Sequence, residues 1–84
     1  MPKRARTTTA RKEAPKNIVG TKVHELRESR GWGQQEFAEM LRKRGVHADR
    51  FTVLKIEQAS RTVTDIELVT LSEIFGVSPM SLLK

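Results

Sequence analysis

The chain has 84 residues, a formal net charge of +6 and no cysteine. That length supports one small domain, and the lack of thiols excludes both a disulfide framework and a thiolate metal site. No apolar run approaches the roughly 18 residues that span a bilayer, and the basic N-terminus lacks the apolar segment of a secretory signal, so a cytoplasmic protein is expected.

Residues 1–16, MPKRARTTTARKEAPK, carry Lys3, Arg4, Arg6, Arg11, Lys12 and Lys16 against Glu13 alone. After Met1 the segment has no large apolar side chain, so it cannot offset its ordering entropy; a disordered basic arm is expected. Two readings stand for it. It is a solvated leader, or it lies along phosphates or in a minor groove, with Lys3, Arg4, Arg6, Arg11 and Lys12 on DNA. Residues 17–84, with ten basic side chains against nine acidic ones, are the expected folded unit. A polyanionic partner is favoured by this charge distribution, while anionic lipid or simple solubility would also suit the arm.

The first helix is expected from Asn17, a good cap, to about Arg30, before Gly31. Ile18, Val19, Val23 and Leu26 form its apolar stripe, with Lys22, Glu25, Arg27 and Glu28 outward. Gly20 weakens its first turns. His24 beside the stripe reads as structural; with His47 the only other imidazole, no metal site is expected. Trp32, between Gly31 and Gly33, covers the end of the core, or alternatively stacks on a base.

The second helix covers about 34–44, with Phe37, Ala38 and Leu41 on one face. Its last turn, Arg42-Lys43-Arg44, reads equally as a solvated helix end matched to the dipole or as a phosphate contact. Gly45 can end that helix and Asp49 can cap a third, over about 50–58. On it Val53 and Ile56 point inward, while Arg50, Phe51, Leu54 and Lys55 point out. A helix, a tight break and a second helix with an exposed basic face describe a helix-turn-helix. Thr64 and Glu67 then make a capping box for a fourth helix, with Leu68, Leu71 and Phe75 inward and Gly76 ending it. Ser78-Pro79 starts a fifth, and Met80, Leu82 and Leu83 close the chain. The expected fold class is all-α, a bundle of five short helices.

With these residues in view, the chain resembles the phage-repressor-like helix-turn-helix family, which includes lambda repressor, Cro and the XRE-type regulators. The resemblance covers about Ile18 to Leu83. It rests on Val23-His24-Glu25-Leu26-Arg27 with Arg30-Gly31-Trp32, and on Gln34-Gln35-Glu36-Phe37-Ala38. It continues in Thr52-Val53-Leu54-Lys55-Ile56-Glu57, Glu67-Leu68-Val69-Thr70-Leu71-Ser72 and Phe75-Gly76-Val77-Ser78-Pro79. It implies a lambda-repressor-like fold, a homodimer on double-stranded operator DNA, and the third helix in a major groove. Arg50, Phe51 and Lys55 then fall where the family reads base edges. Gln34, Gln35, Ser60, Arg61 and Thr62 fall on phosphate-contacting segments, and Gln34 also braces the third helix. Arg27 and Glu57 fall on a structural ion pair joining the first helix to the third.

Three departures from that family stand out. Ala38 to Glu57 is longer than usual by five residues, assigned to a further turn of the second helix and the break Val46-His47-Ala48. Ala59 replaces the usual glycine after the glutamate, and Gly33 replaces a serine or threonine cap. The function implied is a sequence-specific DNA-binding transcriptional regulator, a repressor of phage or mobile-element type. Dimerisation would use the small domain itself, through exposed Met80, Leu82 and Leu83. The alternative is a protein-binding adaptor on the same fold, using the Phe51/Leu54 face. No nucleophile–base pair, metal cluster or phosphate-cradling glycine loop points to an enzyme, a cofactor or a small-molecule ligand.

Overall fold

The computed structural model describes residues 14–84. Within them the chain forms α1 (Gly20–Ser29), α2 (Gln34–Lys43), α3 (Arg50–Glu57), α4 (Asp65–Phe75) and α5 (Pro79–Leu83), with no strand among the described residues. The expected five helices are present. The arm cations Lys3, Arg4, Arg6, Arg11 and Lys12 lie outside the described residues.

Local chemistry sets most of the helix ends. The Asp49 carboxylate accepts from the Thr52 N–H at 2.9 Å and starts α3. Thr64 and Glu67 cap each other's backbone N–H groups at 3.1 Å and start α4. Gly76, at φ 70°, ends α4 in the left-handed region, and Ser78 caps α5 with Pro79 in its first turn. Gly33 has no side chain to cap α2. The Glu36 carboxylate instead accepts from the Gly33 N–H at 3.4 Å, half of the reciprocal arrangement.

The core joins all five helices. Val23, Phe37, Leu41, Val53, Leu71 and Leu82 are fully buried, with Ala38, Ile56 and Phe75 beside them. Trp32 stacks on Phe37 and Phe75 at centroid distances of 6.1 and 5.8 Å, which confirms its packing role. The connection after α2 is also part of the core, since Val46 and Ala48 are buried.

Three expectations need correction. Ile18 is not in the apolar stripe of α1 but 72 % exposed, because it precedes the helix, which begins two residues later at Gly20. Arg27 is not outward; it is buried, because Glu57 and the Trp32 carbonyl supply acceptors for it inside the fold. Leu82 is not an exposed dimer candidate but fully buried, because α5 packs against α4 and Leu82 joins Leu71 and Phe75 in the core cluster; Met80 and Leu83 remain exposed. At the edge of the folded unit, the Lys16 N–H donates to the Ala59 carbonyl at 2.9 Å.

Candidate nucleic-acid interface

α3 packs chiefly against α2 and α1, and a buried polar cluster fixes its C-terminal end. Arg27 Nε donates to Glu57 Oε2 at 2.6 Å and Arg27 Nη2 to Oε1 at 3.1 Å, a two-pronged pair between α1 and α3. Arg27 Nη1 donates to the Trp32 carbonyl at 2.6 Å. His24 Nδ1 and Gln34 Nε2 lie 3.0 and 3.4 Å from Glu57 Oε1, so three helices converge on one carboxylate. Burial pushes the Glu57 carboxyl up, but the hydrogen bonds from Arg27 and His24 outweigh it and hold the group below its ordinary value. The Glu57 hydrogen bond raises Arg27 above its own. The pair anticipated from the family resemblance is therefore formed, and the position of Gln34 suits the bracing expected of it.

A second lock comes from Asn17. Its Nδ2 donates to the carbonyls of Ile56 at 3.1 Å and Arg61 at 2.9 Å, while Oδ1 accepts from Val19 and Gly20 N–H at 3.1 and 2.9 Å. All four hydrogen-bonding capacities of the amide are used. Gly20 permits this approach. A Cβ on it would collide with the Ile56 carbonyl oxygen and stand 2.9 Å from that of Glu57. The sequence identified Asn17 only as a cap. Its grip on α3 spans 39 residues and leaves no local signal.

Held this way, α3 presents one face to solvent. Arg50 and Lys55 are exposed, Phe51 is 55 % exposed and Leu54 is half-buried between them. At helical spacing these four positions fall within one arc of the cylinder. The Arg50 guanidinium lies 4.9 Å over the Phe51 ring. Neither Arg50 nor Lys55 has a salt-bridge partner among the described residues. The three base-reading candidates are thus brought together, and Phe51 and Leu54 do not fold into the core.

The other candidates divide. Gln35 is exposed at the start of α2 and Gln34 is half-buried beside it. Ser60 and Thr62 are exposed after α3, Ser60 donating through its hydroxyl to the Lys55 carbonyl at 3.2 Å. Arg61 is less free than expected, because its Nη2 meets Glu67 Oε2 at 3.3 Å and its Nη1 is buried. Ala59, between these groups and α3, has φ 60° and occupies the left-handed position that glycine usually fills.

Comparison with protein-family models, curated proteins and solved structures returned no match. No group of three or more potential metal ligands occurs among the described residues, and no helix there is long and apolar enough to cross a membrane.

Proposed function

We propose that the protein is a sequence-specific, double-stranded-DNA-binding transcriptional regulator of the phage-repressor-like helix-turn-helix type, with α2 and α3 as its reading unit. One observation carries this reading: a braced helix offers Arg50, Phe51 and Lys55 on a single exposed face, with neither cation in a salt bridge among the described residues. Arg50 can fork onto guanine O6 and N7, Lys55 can donate to guanine or a phosphate, and Phe51 can meet a thymine methyl. Exposed Gln35 beside half-buried Gln34 at the start of α2, and exposed Ser60 and Thr62 beyond α3, can donate to phosphates in this reading. Two copies bound to a palindromic operator would act by occupancy, blocking or recruiting polymerase without chemistry on the DNA.

The same face supports one other reading, since Phe51 and Leu54 offer an apolar pair to a protein partner. Selection of bound duplexes from a random pool, followed by titration against salt, separates the two. A regulator yields a recovered motif and an affinity that falls steeply with salt. An adaptor yields no motif.

A further inference from the structure

The folded body is nearly neutral, yet its positive charge is not spread evenly. Arg42, Lys43, Arg44 and Arg50 fall within nine residues that contain one carboxylate, Asp49. That carboxylate is turned inward on its own helix, accepting from the Thr52 N–H and hydroxyl at 2.9 and 3.1 Å. Arg42 and Arg44 meet Glu39 and Glu73 only at the surface, at 3.9 and 3.5 Å, where such pairs bind weakly. Lys43 and His47 are exposed and have no acidic partner among the described residues.

The connection between α2 and α3 is a built segment and not a slack one. Val46 and Ala48 are 8 % and 4 % exposed, so the alternation of side chains turns His47 outward between two anchors. The Val46 N–H donates to the Leu41 carbonyl at 3.0 Å, Gly45 takes φ 90°, and Arg42 Nη1 reaches across to the Ala48 carbonyl at 2.5 Å. Arg42, Gly45, Val46 and His47 line a shallow hollow of about 280 Å³ on this edge. The negative end of α2 accounts for cations in its last turn. It does not account for His47 and Arg50, which lie beyond that helix and lead directly into α3.

We propose that this connection is a further DNA-contacting element, in which Lys43 and His47 meet a backbone phosphate beside the base contacts of Arg50. The inference rests on the DNA-binding reading above and adds residues to it. The Lys43 ammonium and a ring N–H of His47 donate to phosphate oxygens, which fixes how deeply the first turn of α3 enters the groove. Recognition at this edge is of the sugar–phosphate chain and carries no sequence preference of its own.

The test uses the full chain and its Lys43→Ala and His47→Ala variants, with a preferred duplex recovered by selection and an unrelated duplex, across a salt series. Each variant should weaken binding to both duplexes by the same factor, about 3- to 30-fold, and Lys43→Ala should flatten the log affinity against log salt slope by about 1. Unchanged circular dichroism confirms that both variants fold. Unaltered affinity and slope, while the parent chain still binds, overturn this inference and leave the DNA reading standing. A loss confined to the preferred duplex overturns it too, because the connection would then be reading bases. If the parent chain binds no duplex, both readings fall together.

Discussion

Arg27 and Glu57, thirty residues apart, meet through two hydrogen bonds of 2.6 and 3.1 Å with both side chains almost fully buried. The pair ties the helix that opens the fold to the last turn of the helix that faces outward. Removing one partner strands the other charge inside the protein. Glu57→Ala should therefore cost about 3–5 kcal/mol in a urea titration. Arg27→Ala with Glu57→Ala should cost less than the sum of the single changes. A purely additive result would mean that the pair is not coupled as the geometry indicates.

Acid should act through the same carboxylate. Glu57 is held below its ordinary value when folded, so its contribution is present above the unfolded glutamate pKa, about 4.3, and is lost as pH falls through the folded value. Asp49 is lowered by the Thr52 N–H and shifts the balance in the same direction. Urea midpoints collected between about pH 3 and 6 should fall on acidification, more steeply for the parent chain than for Glu57→Gln.

Gly20→Ala is expected to destabilise by about 1–3 kcal/mol, although alanine is ordinarily the better helix former. The cause is the close approach of α1 to the Ile56 and Glu57 carbonyls. Thermal unfolding decides the matter, and a variant as stable as the parent would remove that steric constraint from the argument.

Ala59→Gly should move stability the other way, by up to about 1 kcal/mol, because glycine adopts φ 60° without a Cβ penalty. Both the melting temperature and the affinity for a duplex are informative here. A gain in stability with unchanged DNA affinity assigns Ala59 to the turn alone.

Arg50→Ala should weaken binding to a preferred duplex by about 1–3 kcal/mol and relax preference at one base pair. Competition between duplexes that differ at single positions gives the answer. An equal loss on every sequence would assign Arg50 to a phosphate.

Features set by neighbouring residues were the most legible in the sequence. The Asp49 and Thr64 caps, the left-handed Gly45 and Gly76, and the inward faces of α2, α3 and α4 follow from chemistry within a few positions, and all are present. Contacts set by distant partners were less so. Arg27 carries a charge at an outward-reading position, and only its family resemblance pointed to the acceptor that buries it. The double grip of Asn17, on α3 at Ile56 and on the segment after it at Arg61, depends on carbonyls that no pattern marks. Leu82 shows the same limit at the end of α5, where five residues are too few for periodicity to distinguish a core side chain from a surface one. On the candidate face, Phe51 and Leu54 read as outward from helical spacing alone, and they are exposed and half-buried.

The chain has one tryptophan and no tyrosine, so its intrinsic ultraviolet emission arises from a single indole. That indole is layered against rings from α2 and α4, with the Arg30 guanidinium 5.5 Å from its centre. Its emission spectrum therefore reports the docking of one helix on another, separately from helix content, and offers a label-free optical clock for refolding.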